Sequence, residues 1–423
     1  MQNRNKGITL IALIITIIIL LILVGVSINL AIKGDLFGSA KKAVSGTNDK
    51  VAQEQTRVDE LMGELGRVEE QQRQDNLPGT RVSENTKYIR DGKTAWIPAG
   101  FTVSKAEGET TIDGGLVIYL INDKTDEEIK KLTWTGTELE NLKKTYDQFV
   151  WIPISHEQIN NMFICQAKTT SNGSCNIVAE NGVAKCTVHN STQMAGRLYA
   201  SNTGENYKKA YTEVYTANSG LREPDVVTDY YDGSSTYLGY MSTVTGDNTS
   251  YASKAKFKET LQNEYNEIVA LVYNAGGYYV GRYETSNLTT TKGTAINVVA
   301  GTNSGISNIY WYYMYAQQKA YAANKGLGNK VKSSMMLGTC HDQMLEFVNV
   351  AGKYDVTKVG NALHHRYSSD GPWQTAGLDY TDKTQYKDLS KNIYDLEGNV
   401  SEWTTEAYDT STRVDRGRQL QQQ

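Results

Sequence analysis

An uncharged apolar segment near the amino terminus constrains this chain more than any other feature. Residues 8–32 read ITLIALIITIIILLILVGVSINLAI and contain no Asp, Glu, Lys or Arg. As a helix the segment would be about 37 Å long, which is enough to cross a bilayer with some tilt. Arg4 and Lys6 precede it, and positively charged residues beside a membrane helix lie on the cytoplasmic side. We therefore expect the short amino terminus to stay in the cytoplasm and the rest of the chain to be exported. The sequence therefore predicts a membrane-anchored protein with an extracellular body.

The residues that open this segment resemble the processing site of type IV prepilins. In KGITLIA, a short basic leader and a glycine precede a Thr-Leu-Ile run. The resemblance implies that residues 1–7 are a leader, which a prepilin peptidase removes by cutting between Gly7 and Ile8. It also implies that the helix 8–32 lies in the membrane or packs with other pilin-like subunits in a filament. Ala12 stands where the family usually has glutamate, which favours a minor pilin or pilin-like surface protein; a plain membrane anchor is the alternative.

Residues 33–79 are predicted to form a helical stalk and linker. Between residues 47 and 75, apolar residues recur at steps of three and four among charged ones, as in an amphipathic helix. These residues are Val51, Val58, Leu61, Leu65 and Val68. The helix would serve as a stalk or a short coiled coil, although two internal glycines weaken it. NLPG, residues 76–79, breaks the pattern and marks the first domain boundary.

Two further regions follow in the exported body. Residues 80–145 are predicted as a small α+β domain, with a strand in GLVIYLI and a helix from about Asp126 behind the capping box of Thr125 and Glu128. Residues 146–423 are predicted as the second domain. It opens with the buried strand QFVWIPI, and the capping box of Ser155 and Gln158 predicts a helix directly after it. The predicted fold class of the whole chain is α+β.

A polar insertion at about residues 166–255 is predicted to form surface hairpins and loops. Within it, CNIVAENGVAKC reads as a hairpin around Asn181-Gly182. That turn brings Cys175 and Cys186 close to each other, either as diagonal neighbours or directly paired, depending on the loop length. Export permits a disulfide between them, so the pair is a disulfide candidate, with two free thiols as the alternative.

Helix signals dominate the chain after the insertion. Apolar residues from Phe257 to Val272 line one helix face, and Gly276 stands where a carboxyl-terminal cap is expected. GGYYVGRYETS follows as a strand. Further helices are predicted at residues 308–324 and 341–352, the second introduced by Thr339.

The order FVWIPI, GGYYVGRYETS, LGTCHDQMLEF and NIYDLEGNVSEWT resembles the landmarks of the sulfatase-modifying-factor family, also called the formylglycine-generating-enzyme fold. The resemblance covers roughly residues 146–417 and implies a variant of the C-type lectin fold. In its last stretch, Gly398 and Asn399 tolerate the positive φ of a sharp turn. Trp403 is expected to anchor the following strand in the core.

The same stretch predicts a cation site. Asp395 and Glu402 are carboxylates on either side of a turn, and hard oxygen ligands of this kind favour Ca²⁺. The family resemblance implies that the calcium ligands are Asp395, the carbonyls of Gly398 and Val400, and Glu402. The alternative is that the two carboxylates only cap the turn.

In the family that this chain resembles, a reactive cysteine pair distinguishes the enzymes from the binding proteins. Enzymatic members use a reactive cysteine pair with copper after an Arg-Gly-Gly-Ser strand, and this chain lacks that pair. Cys340-His341 is predicted to serve in packing rather than as a reactive thiol. The 28 tyrosines, against 6 phenylalanines, are typical of wet binding surfaces. The sequence therefore predicts a non-catalytic head that binds an extracellular ligand, similar to the variable proteins of diversity-generating retroelements. The alternatives are an enzyme relative whose active cysteines are missing and a structural minor pilin.

The net charge of the chain indicates whether nucleic acid is an expected partner. A net charge of −4 provides no positive electrostatic field that would attract nucleic acid, so nucleic acid is not an expected partner.

The carboxyl-terminal sequence, RVDRGRQLQQQ, follows the family pattern RV-x-RGGS-aromatic as far as Gly417 and then departs from it. One inserted nucleotide converts a Gly-Gly-Ser-Tyr-Asn-Asn-Asn reading into this tail, so we predict a frameshifted domain truncated in its final strands. A natural disordered end is the alternative.

Overall fold

The structure, a computed structural model, describes residues 40–165, 176–188, 192, 194–197, 221–222, 233–286, 296–300, 310–349, 389–394, 402–407 and 413–416. The helices in these ranges are α1 (Ala40–Asp75), α2 (Ile112–Gly115), α3 (Asp126–Ile129), α4 (Gly136–Thr145), α5 (His156–Met162), α6 (Ser235–Thr245), α7 (Lys254–Ala275), α8 (Trp311–Asn324) and α9 (Gly338–Asn349). The strands are β1 (Thr86–Arg90), β2 (Lys93–Ile97), β3 (Thr102–Val103), β4 (Val117–Leu120), β5 (Asp147–Pro153), β6 (Phe163–Cys165), β7 (Ile177–Glu180), β8 (Val183–Cys186), β9 (Met194–Arg197), β10 (Leu221–Arg222), β11 (Gly277–Gly281), β12 (Leu389–Ser390), β13 (Ile393–Tyr394), β14 (Glu402–Ala407) and β15 (Arg413–Arg416). Helices and strands are mixed, so the coarse class is α+β, as predicted.

The contacts divide the chain into two compact units, Met1–Asn76 and Leu77–Gln423. In the first unit, α1 begins at Ala40, seven residues before the predicted start at 47. Its surface carries ion pairs between neighbouring side chains. In one of them, Nη2 of Arg73 lies 2.6 Å from Oε1 of Glu70. Leu61 and Val68 of the predicted apolar stripe are exposed, so a stripe on a helix does not by itself bury its members.

A four-stranded antiparallel sheet in the order β11-β5-β4-β3 is the centre of the second unit. The register pairs Val117 with Val150 and Tyr279 with Trp151. Successive residues of a strand point to opposite faces, and both faces of β4 and β5 are buried. The sheet therefore lies between two hydrophobic clusters.

The first cluster contains Val117, Tyr119, Val150 and Ile152 of the sheet, and α9 supplies Met344, Leu345, Phe347 and Val348 to it. The second cluster contains Ile118, Leu120 and Trp151 of the sheet, the hairpin residues Tyr88, Ala95 and Ile97, and Tyr321 of α8. Helices cover the sheet on both sides, so its central strands are apolar throughout rather than alternating.

The boundary predicted between residues 145 and 146 does not separate two compact units. β3 and β4 come from the region before it and β5 from the region after it, and β4 pairs with β5 along its whole length. Because the backbone hydrogen bonds of one sheet cross this point, residues 80–145 belong to the same compact unit as the later chain. The unit begins at Leu77, inside the NLPG break.

The described parts of the polar insertion contribute to the core as well as to the surface. The strands of the order β10-β9-β6 form a second sheet, and Met194 of β9 is fully buried. The predicted hairpin is confirmed as β7 and β8, joined by Asn181 and Gly182 with φ of 52° and 76°. Ala184 in this hairpin and Met241 on α6 are fully buried. The description of the insertion as surface hairpins and loops is therefore wrong for these elements.

Local cap signals in the sequence are confirmed where they depend on near neighbours. Thr125 and Glu128 form the reciprocal capping box of α3, and Ser155 forms the same motif at α5. Gly276 ends α7 at φ 69°. In contrast, α9 begins at Gly338, so Thr339 lies inside the helix rather than before it.

The hairpin β12–β13 attaches the late part of the chain to the loop around α2. Lys391 and Asn392 form its turn, both at positive φ. The Asn392 side-chain amide donates to the carbonyl oxygens of Gly108 at 2.8 Å and Gly115 at 2.7 Å. A Cβ at Gly115 would overlap the Lys391 carbonyl, so only glycine permits this approach.

No helix in the described ranges combines the length and the apolar character needed to cross a membrane. The predicted membrane segment 8–32, the leader 1–7 and the processing residues Gly7 and Ile8 lie outside those ranges.

Candidate ligand-binding surface

Helices α6 and α8 bring together five tyrosines, which we call the tyrosine surface. Its members are Tyr237 and Tyr240 on α6, Tyr310 immediately before α8, and Tyr312 and Tyr313 in the first turn of α8. The Ser234 side chain accepts a hydrogen bond from the backbone amide of Tyr237 and thereby fixes the start of α6.

The rings of the tyrosine surface form a stack with an edge-on pair beside it. The centroids of Tyr310 and Tyr312 are 5.6 Å apart with nearly parallel planes, and those of Tyr312 and Tyr237 are 3.7 Å apart. Tyr240 and Tyr313 meet edge to face at 4.2 Å. Such ring pairs each contribute about 0.5–1.5 kcal/mol beyond their buried area.

Exposure rises towards one end of the stack. Tyr312 is buried, Tyr237, Tyr240 and Tyr313 are half-buried, and Tyr310 is 57% exposed. Large exposed aromatic rings that other rings hold in place are typical of binding surfaces, because little conformational entropy remains to be lost on contact. The tyrosine surface therefore offers an ordered aromatic platform to solvent.

A rigid aromatic core supports this platform. Trp311 stacks on Tyr315 with centroids 4.9 Å apart, and Phe257 of α7 packs on Tyr315 at 5.5 Å. The Tyr315 hydroxyl donates to the buried Glu264 carboxylate at 2.5 Å. Ser334 donates to the same carboxylate at 3.0 Å.

Two phenols of the platform, those of Tyr240 and Tyr312, have raised pKa values. Burial raises the pKa of Tyr240 above its usual range, although the hydrogen bond from Gln317 opposes the shift. Burial also raises the pKa of Tyr312, and the neighbouring hydroxyls of Tyr237 and Tyr313 raise it further. The surface therefore combines aromatic rings with hydroxyl groups, and those of Tyr240 and Tyr312 stay protonated at physiological pH.

The predicted anchor residue Trp403 packs beside the same cluster of α6, α7 and α8. It is half-buried on β14, and its neighbour Thr404 accepts a hydrogen bond at 2.7 Å from the Trp311 indole nitrogen. The role of Trp403 as an anchor stays a prediction, and its ring lies next to the helices that carry the tyrosine surface.

The predicted calcium ligands are not brought together within the described residues. Asp395, Gly398, Asn399 and Val400 lie outside them. Glu402 begins β14 opposite Arg416, but the position of its side chain also lies outside the described part. In the described ranges no group of three or more His, Cys, Asp or Glu side chains is placed to hold a metal ion. The calcium site therefore stays a prediction.

The cysteines fall into two environments. Cys186 pairs with Ile177 in the hairpin register, as a two-residue turn predicts, and it is disulfide-bonded. Because Cys340 is free, the partner of Cys186 is Cys165 or the predicted Cys175. The side chains of both candidates lie outside the described residues, so the choice of Cys175 stays a prediction.

Cys340 lies on α9 inside the core, 3% exposed. Burial raises the pKa of its thiol, and the nearby Asp342 raises it further. A protonated, enclosed thiol is a poor nucleophile. This environment agrees with a packing role for Cys340.

Sequence reasoning identified the excess of tyrosine but missed the tyrosine surface itself. A usable signal was present in the two dense runs YWYYMY, residues 310–315, and STYLGY, residues 235–240. Only the packing of α6 against α8 shows that the two runs meet.

Comparison of the sequence with protein-family models gives no match, and neither do the comparisons with curated proteins and with solved structures.

Proposed function

We propose that this protein is an envelope-anchored, pilin-like surface display protein whose exported head binds a ligand without catalysing a reaction. The observation that carries the proposal is the tyrosine surface, an ordered aromatic stack that ends in the exposed ring of Tyr310. Segment 8–32 would anchor the chain after a prepilin peptidase has cut between Gly7 and Ile8.

The chemistry of the tyrosine surface favours a ligand with flat apolar faces and hydrogen-bonding edges, as in a saccharide. Aromatic rings cover the apolar face of such a ligand, and neutral phenol hydroxyls donate to its oxygens. We include in the proposal the lectin-type fold and the Ca²⁺ ion at Asp395 and Glu402, both of which rest on the family resemblance.

The buried state of Cys340 supports binding rather than thiol chemistry. Its raised pKa and its enclosure remove it as a nucleophile for an exported substrate.

The test is ligand binding by the full chain in detergent micelles. We expect selective retention on a panel of immobilised glycans, and a loss of affinity of about tenfold or more for Tyr310→Ala, because an exposed aromatic anchor typically contributes more than about 1.4 kcal/mol. The matched control is Tyr273→Ala on α7, a tyrosine that stacks on His156 away from the tyrosine surface.

Two outcomes would reject the proposed function. One is binding that Tyr310→Ala and Tyr273→Ala leave equally unchanged. The other is turnover of a thiol substrate by the same preparation. The anchor is tested separately, since the mature chain recovered from membranes should begin at Ile8.

A further inference from the structure

Three polar side chains from distant parts of the sequence meet beside the central sheet. Asp147 is the first residue of β5, Asn297 lies in the segment 296–300, and Lys325 directly follows α8. The Lys325 amine lies 2.8 Å from the Asn297 side-chain carbonyl oxygen and 2.7 Å from Oδ2 of Asp147. The Lys325 amine is therefore within hydrogen-bonding distance of both a carboxamide and a carboxylate.

The backbone holds each of these residues in place. Asn297 exchanges two backbone hydrogen bonds with Ser286, at 2.9 and 3.0 Å. The amide of Val298 donates to Oδ1 of Asp147 at 2.7 Å, so the carboxylate and the carboxamide are fixed relative to each other. Preorganisation of this kind replaces a bimolecular encounter by an intramolecular one and raises the effective concentration of the reacting groups by orders of magnitude.

The surroundings exclude most water from the Asp147 and Lys325 side chains, while Asn297 is half-buried. The Asp147 side chain is 3% exposed and that of Lys325 is 15% exposed. The ring of Tyr321 lies 5.5 Å from the Lys325 amine, and its hydroxyl donates to Oδ2 of Asp147 at 2.7 Å. The Lys325 amine contacts Oδ2 of Asp147 directly, so a proton can pass between them along one hydrogen bond.

We propose that Lys325 and Asn297 form an intramolecular amide cross-link with release of ammonia, and that Asp147 carries the proton. The Lys325 ammonium first gives a proton to Asp147. The freed lone pair on Nζ attacks Cγ of Asn297 and forms the new carbon–nitrogen bond. Asp147 donates its proton to Nδ2, the Cγ–Nδ2 bond breaks, and ammonia leaves as Asp147 accepts the proton that Nζ loses. Asp147 then protonates the ammonia, so the products are the amide, the original carboxylate and an ammonium ion, and no oxidant or external reactant is needed.

A comparison with the other buried lysine pair shows why this site is distinct. Lys319 lies 3.2 Å from Glu264 and also reaches the Tyr315 hydroxyl. A carboxylate and a phenol offer no carbonyl with an amine leaving group, so Lys319 has no route to an amide through these partners. Lys319 therefore serves as a matched control within the same protein.

The cross-link would close a loop between positions 28 residues apart and would join α8 permanently to the segment that borders β5. Unlike a disulfide it would survive reducing agents, which suits a protein exposed outside the cell. It is independent of ligand binding, so its failure would leave the proposed function untouched.

The deciding experiment is mass spectrometry of the purified full chain under denaturing and reducing conditions. We expect an intact mass lower than the sequence mass by one ammonia, and a protease digest in which the peptides of Asn297 and Lys325 appear as one branched species. Recovery of both residues in separate linear peptides would overturn the proposal, because acid and denaturant separate an ion pair but not an amide.

Variants sharpen the result. Lys325→Arg should abolish the branched peptide, and Asp147→Asn should lower its yield at least tenfold. Lys319→Arg should leave it unchanged. Succinimide formation at Asn181-Gly182 also releases ammonia, so Asn181→Gly, which keeps the positive φ of the turn, should retain the mass loss. A branched peptide that forms equally well in Asp147→Asn would disprove the role of Asp147.

Discussion

Tyr119 of the central sheet and the tyrosines of the tyrosine surface use opposite ends of the same side chain. In the sheet, the Tyr119 hydroxyl contacts Glu109 at 3.2 Å and Arg282 at 3.1 Å. On α6 and α8, the rings of the tyrosine surface pack mainly on one another. Burial contributes to the difference, since an enclosed hydroxyl loses free energy when it has no hydrogen bond, whereas an exposed one can use water.

The Tyr119 hydroxyl contacts a buried ion pair. Arg282 is 2% exposed and lies 2.7 Å from Glu109, which is 4% exposed. A buried ion pair needs further hydrogen bonds, and Tyr119 and Gln148 each accept one from a terminal nitrogen of Arg282. The Tyr119 hydroxyl thus supports a buried ion pair, whereas Tyr310 carries its hydroxyl on an exposed ring.

Raising the pH above 10 is expected to have the largest effect on the stability of the folded protein, because it ionises buried tyrosines. Burial raises the pKa of Tyr119 and Tyr315 above the ordinary value of 10.0, and Glu264 raises that of Tyr315 further. Above pH 10 the unfolded chain binds fewer protons than the folded one, so stability is full below that pH and is lost as pH rises towards the folded pKa values. We expect part of the phenolate absorbance to appear only as circular dichroism reports unfolding. Complete ionisation of the tyrosines with native circular dichroism would contradict this expectation.

Arg282→Met should have the next largest effect. It leaves Glu109 buried without its partner, and breaking a buried pair in this way costs about 3–5 kcal/mol of unfolding free energy. Denaturant unfolding measures the loss. The control is Lys130→Met, which removes an exposed pair with Glu127 and should change stability by less than about 0.5 kcal/mol. Equal effects of the two variants would show that the pair of Arg282 and Glu109 is not an essential element of the core.

Tyr119→Phe and Tyr310→Phe compare the two regions directly at the smallest scale. Each variant removes one hydroxyl and keeps the ring. Loss of the Tyr119 hydroxyl should cost about 1–3 kcal/mol because buried partners are left unsatisfied, whereas the Tyr310 change should stay within about 0.5 kcal/mol because that ring is exposed. Thermal unfolding of the pair provides the measurement. A reversed order would mean that the hydroxyls of the tyrosine surface, not those of the sheet, stabilise the fold.

Sequence reasoning predicted the features that are encoded within a few residues. The capping boxes at Thr125 and Ser155, the Asn181-Gly182 turn and the cap at Gly276 all depend on neighbours at fixed short spacing. The physical rules that govern caps and turns are local, so single residues were sufficient to place them.

Features that depend on distant residues were not predicted. The pairing of β4 with β5 crosses the expected domain boundary, since strand patterns do not state which strands pair. The meeting of Asp147, Asn297 and Lys325 depends on three elements at once. In the candidate site, the abundance of tyrosine was readable from composition, but the partners of each ring were not.

The hydrogen bonds that Asn392 donates to the loop around Gly115 can form only late in synthesis of the chain. Asn392 lies 284 residues after Gly108, one of the carbonyls that it binds. A ribosome adds roughly 5–20 residues per second, so that loop must wait for its partner for about 14 seconds or longer. During this interval the carbonyl oxygens of Gly108 and Gly115 lack the hydrogen bonds that Asn392 later donates to them.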